Sequence, residues 1–142
     1  MRTHRSRHAR RGLAAVELAV LLPFLAYIFV IGVDWARLLY YTITIENCAR
    51  SGAQYASDPT TASESAFTSV TDAALSSAPG LSPTPTVLSA PETVDGRPSV
   101  RVTVSMPFKT ITNFPGVPRS ETLVRSVSMR IVPVAPDYAT GP

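Results

Sequence analysis

Histidine is nearly missing from this chain. Of 142 residues only His4 and His8 carry an imidazole, and both sit in a short basic stretch. Everything after residue 8 therefore lacks the commonest general base and the commonest transition-metal ligand. There is one cysteine, Cys48, which excludes an intrachain disulfide and a multi-cysteine metal site. Cys48 reads either as a small packing residue on a helix or as one half of an intermolecular disulfide. Charge is sparse, at 16%. The formal charge is +3, yet Arg2, Arg5, Arg7, Arg10 and Arg11 all precede residue 12, and residues 13–142 hold eight basic and ten acidic side chains. The clustered basic surface that nucleic acid requires is not encoded. Nor is there a glycine-rich phosphate loop or a pair of acids at a telling spacing, since Glu92 and Asp95 flank a turn and read as solvated charges. No enzymatic activity, cofactor, metal or small-molecule substrate is expected.

What the sequence does contain is concentrated near its start. The basic run ends at Arg10-Arg11-Gly12, and Leu13 to Val33 follows with Glu17 as its one charge. At about 1.5 Å per residue this apolar stretch spans roughly 31 Å, the thickness of a bilayer core. Basic residues before the span place the N-terminus in the cytoplasm by the positive-inside rule. Trp35, Tyr40 and Tyr41 follow as an interfacial aromatic belt would. A secretory signal peptide fits less well, because the run exceeds the usual h-region and lacks a small-x-small cleavage site. Pro23 lies inside the run and removes one helical hydrogen bond, so a kink is expected there. Glu17 needs a reason, because a carboxylate in hydrocarbon costs roughly 2.5–3.5 kcal/mol at a helix centre. The plain alternative is a carboxylate snorkelling to the headgroups near Arg11.

The helix is expected to continue out of the membrane to Ser57. Trp35, Leu38, Thr42, Ile45, Ala49, Gly52 and Ala56 form one stripe, which shrinks toward alanine and glycine and so accepts a close neighbour. Arg37, Tyr41, Asn47 and Arg50 fall on the opposite face. Asp58-Pro59 ends the helix. A second helix is predicted from Thr61, where Thr61-Ala-Ser-Glu64 has the form of a capping box. Its apolar face would hold Ala66, Phe67, Val70, Ala73, Ala74 and Ala78, and Pro79-Gly80 would stop it.

Eleven of the thirteen prolines lie between Pro79 and Pro142. Strands are nevertheless expected over 86–90, 99–106 and 123–132, the last with Leu123, Val127, Met129 and Ile131 on one side and Arg125 interrupting it. Asp95-Gly96 marks a turn between the first two. Residues 107–121 read as an ordered surface loop and the tail after Pro133 as frayed. The expected class is α+β: a long N-terminal transmembrane helix continuing into a small head, with a second helix and a three-stranded antiparallel sheet. A small open sheet needs a cover, which the outer half of the first helix would supply.

The stretch from Gly12 to Ser57 resembles the TadE-like minor pilins (pseudopilins) of Tad, or Flp, pilus systems. The matching residues are Gly12, Ala14-Ala15-Val16-Glu17, Pro23, Gly32, Arg37, Asn47-Cys48-Ala49-Arg50 and Ala53-Gln54-Tyr55-Ala56. Residue 18, often aromatic in that group, is Leu18 here. The resemblance covers about a third of the chain. It implies a prepilin leader over 1–12, cleaved by prepilin peptidase between Gly12 and Leu13. It implies a stem over 13–57, a periplasmic pilin-like head over 58–132 and a flexible tail over 133–142. Glu17 would then serve assembly by pairing with the new N-terminus of a neighbouring subunit. Implied partners are the peptidase, other pilins and pseudopilins, and the pilus assembly platform. The implied location is the bacterial cytoplasmic membrane, single-pass, with the head outside and incorporation into a surface pilus open. The competing reading is an uncleaved bitopic protein whose extracytoplasmic head is a binding module.

Overall fold

The computed structural model of the chain describes residues 6–112 and 119–133. Helix α1 runs unbroken from Ser6 to Ser57 and includes Pro23. At about 1.5 Å per residue its 52 residues reach roughly 78 Å. It stops where expected. Asp58 precedes a proline, which disfavours helical backbone, and its φ of −126° is extended.

Two short helices replace the single one expected after it: α2, Pro59–Glu64, and α3, Val70–Leu75. The capping box at Thr61 does not form. Asp58 is the cap instead, accepting from the backbone N–H groups of Thr60 and Thr61, with Pro59 filling the first turn where no N–H is needed. Ser65 then accepts from Phe67 N–H and donates to the Ala62 carbonyl, turning the chain out of the helix. Ser69 starts α3 by accepting from Asp72 N–H, and Asp72 answers by accepting from Thr68 N–H. Ala66 and Phe67, expected on the apolar face, are exposed, whereas Ala73 and Ala74 are buried.

The sheet is an antiparallel meander in the order β1 (Thr86–Val94), β2 (Arg97–Lys109), β3 (Ser120–Arg130). Asp95 and Gly96, with φ of 51° and 71°, make a two-residue hairpin turn of the kind that matches strand twist. β3 begins at Ser120, inside the expected loop, and stops at Arg130, while β1 and β2 pass the proline limits that the sequence suggests, for a common reason. β2 has two neighbours only from Ser99 to Ser105. Pro98 lies just before that stretch and Pro107 just after it, and Pro91 is on the edge strand β1. Each proline therefore sits where a strand has a neighbour on one side only.

The inner face of β2 presents Val100, Val102, Val104, Met106 and Phe108, all buried. The first four pack on Ile45, Cys48, Ala49 and Ala53 of α1 and on Ala74 of α3, with Leu123, Val127, Met129 and Ile131 at the margin, while Phe108 meets Tyr41. Arg125 lies opposite Val104 but stays exposed. Cys48 is a core residue, fully enclosed. Gly52 marks the closest approach: a Cβ there would stand 3.1 Å from Ala74 Cβ and 3.2 Å from Val102 Cγ1. The residues 113–118 of the expected 107–121 loop, and the tail from 134, lie outside the described residues.

Candidate functional site

Gly12, Leu13, Glu17 and Pro23 all belong to α1, so one rigid element sets their spacing. Apart from its own helix backbone and chain neighbours, no atom of the described residues lies within 4 Å of where a Gly12 side chain would be. Leu13 is 63% exposed. Glu17 follows one helical turn after Leu13, and among the described residues it has no hydrogen-bond or ion-pair partner. Among the described residues, the helix from residue 12 to Val33 is exposed throughout except for a half-exposed Ile31. Leu18, Val20, Phe24 and Phe29 all stand outward. The helix is long and apolar enough to cross a membrane. An apolar face of this extent, bare all round, requires lipid or other helices as its surroundings. Its length and composition suggest a single-pass anchor.

The junction between stem and head was not read from the sequence. Asp34 is the first residue past the apolar run, and it is only 5% exposed. Its carboxylate accepts from Ile111 N–H at 3.0 Å, from Thr112 N–H at 2.9 Å and from the Thr112 hydroxyl. Arg37, one turn along, adds a 3.2 Å ion pair. The Thr112 hydroxyl first, then the Ile111 N–H, the Thr112 N–H and Arg37, lower the Asp34 carboxyl from 3.8 to about 2.

The Arg37 guanidinium also lies 5.8 Å from the Tyr41 ring centre and 5.5 Å from that of Phe108. The two rings meet edge to face at 5.7 Å. Arg37 and Tyr41 thus face the sheet, not the opposite side. Trp35, expected inward, is 61% exposed. The inward stripe is Asp34, Leu38, Tyr41, Ile45, Cys48, Ala49 and Gly52, shifted by one residue at its start. Tyr41 accordingly leaves the aromatic belt, while Trp35 and Tyr40 remain outward. The spacing of Asp34 to Leu38 and Tyr41 carried that signal, but nothing near Thr112 announced its partner.

At the far end of the head, Val132 N–H donates to the Ser57 carbonyl at 2.8 Å. The head is therefore clipped to α1 at both ends of a stretch of roughly 35 Å. On the outer face of the sheet, Arg101 grips Glu92 with two bonds, at 2.9 and 2.6 Å, and Ser128 adds a third at 2.9 Å. Arg101 first, then Ser128, hold the Glu92 carboxyl below its ordinary value. Among the described residues no group of histidine, cysteine, aspartate and glutamate side chains could hold a metal ion.

Residues 12–54 match the family model described as TadE-like protein. No curated protein and no solved structure matches the chain. The matched stretch holds Gly12, Leu13, Glu17 and Pro23 together with the junction residues Asp34 and Arg37. Over its stem, Gly12 to Gln54, the chain is thus similar to the TadE-like family that its motif resembles.

Proposed function

We propose that the chain is a minor pilin-like subunit of a Tad, or Flp, type pilus, cut by prepilin peptidase after Gly12 and assembled through its stem. The match over residues 12–54 carries this reading. The geometry of α1 supports it: an apolar helix without protein cover has one carboxylate a single turn past the new N-terminus. Cleavage frees the amine of Leu13. In a bundle of stems, a neighbour's amine would meet Glu17 in a low-dielectric setting, offsetting the cost of its charge and penalising wrong registers. The helix dipole favours a negative charge in the first turn of the cleaved helix. The N-terminus faces the cytoplasm and the head lies outside, as the arginines before the span direct. The partners are the peptidase, other pilins and pseudopilins, and the membrane assembly platform, and the role is structural, serving adhesion or secretion.

Two variants test it in a host that has the peptidase. Gly12→Arg blocks maturation, because the side chain no longer fits beside the scissile bond. Glu17→Ala is cut like the parent but fails to enter pilus fractions. Wild-type behaviour of both variants overturns the proposal in favour of an uncleaved anchor carrying a binding head.

A further inference from the structure

The end of the sheet nearest the apolar run has features that fibre assembly through the stem does not use. β2 reaches Lys109 there, opposite Ser120 where β3 begins. Lys109, Ile111 and Arg119 are all exposed at this end. Asp34 fixes their height. It bonds the backbone of Ile111 and Thr112, and it directly follows Val33, the last residue of the span. The polar layer on each side of a bilayer core is roughly 5–7 Å thick. A segment tied to residue 34 therefore stands at the boundary between hydrocarbon and headgroups.

The side chains at this level match that boundary. Thr112 is buried by its bonds to Asp34, and Ile111 beside it is turned outward, 65% exposed. Trp35 stands outward on α1 at the same height. Lys109, the chain's one lysine, lies two residues before the isoleucine, and Arg119 directly precedes Ser120, the cross-strand partner of Lys109, against Glu121 as the opposing charge. An apolar tip beside two cations is the arrangement by which peripheral segments sit on anionic lipid, the tip at the acyl boundary and the cations at the phosphates. Arg37 takes no part, since it is committed to Asp34 and to the two rings.

We propose that Lys109, Ile111 and Arg119 form a second membrane contact, which seats the head on an anionic phospholipid surface beside its own stem. This rests on Leu13–Val33 being the bilayer span. The continuity of the tip with that span, through Asp34, selects lipid over a second protein as the occupant.

The test uses the full chain in vesicles of phosphatidylglycerol and phosphatidylcholine. Nitroxide labels are placed at Ile111→Cys, at Leu88→Cys on the outer face of the sheet, and at Leu25→Cys within the span. The parent, whose only cysteine is buried, is the unlabelled control. Collision with oxygen is compared with collision with a water-soluble nickel chelate. The expected oxygen-to-nickel ratio at 111 lies severalfold above that at 88, and it falls toward it when Lys109→Glu and Arg119→Glu are added. A ratio at 111 equal to that at 88, with 25 reading hydrocarbon, overturns the contact but leaves the span intact. Protection of 111 from both quenchers overturns lipid in favour of a protein cover. A water-like reading at 25 overturns the span, and this contact with it.

Discussion

The Asp34 carboxylate accepts both the N–H and the hydroxyl of Thr112, a residue 78 positions further along the chain. Through this pair the lower end of the sheet is tied to the helix at the place where the apolar run stops. The upper end is tied where Val132 meets Ser57. Between the two ties the outer half of α1 is a strut along the inner face of the sheet.

Asp34→Asn should loosen the lower tie without unfolding the head. An amide has one acceptor oxygen where four donors now converge on two, and its NH2 would face N–H groups. Hydrogen exchange at Ile111 and Thr112 should accelerate severalfold, while exchange at Val102 and Val104 stays slow. Equal acceleration at all four would mean that the tie is part of the core and not a separate clip.

Acid should act on the same tie. Because the folded carboxyl lies at about 2 against 3.8 ordinarily, Asp34 favours the fold fully above 3.8, and that contribution is lost as the pH falls through about 2. The Thr112 amide resonance is expected to titrate with a midpoint close to that lower value. In Asp34→Asn the titration should vanish.

The two sides of α1 should respond differently to truncation. Ile45 is fully enclosed, and Ile45→Ala is expected to cost about 2–5 kcal/mol of head stability. Ile43, 58% exposed two residues earlier, should tolerate alanine with no measurable change in thermal unfolding of the head.

Gly52 tests the closeness of the strut to the sheet. Gly52→Val would press branched carbons against Ala74 and Val102, neither of which has a flexible end to move aside. Overpacking of this kind costs about 1–3 kcal/mol, seen as a lowered midpoint in denaturant.

Much of this architecture could be read from residue order. The apolar run, the unbroken helix to Ser57, the hairpin at Asp95-Gly96 and the alternation along β2 are local patterns, and local patterns decide local structure. Three features were misread for physical reasons. Trp35 outranks Asp34 as a core residue by hydropathy, yet an aspartate with four donors is stable inside and a tryptophan at a membrane edge is stable outside. Pro98 and Pro107 read as strand ends, although a strand tolerates proline wherever one side has no neighbour. The capping box at Thr61 lost to Asp58, three residues ahead, which has a better acceptor and a proline behind it. The bond from Thr112 to Asp34 left no trace in the sequence, because a contact across 78 residues is fixed by the docking of the sheet and not by spacing.

Cleavage after Gly12 separates a pilin-like subunit from a simple anchored protein. The deciding measurement is the intact mass and N-terminal sequence of the protein extracted from membranes of a host that carries its prepilin peptidase. A chain beginning at Leu13 is the predicted result. A chain that retains its arginine-rich leader under those conditions would contradict the pilin reading and leave a simple anchored protein.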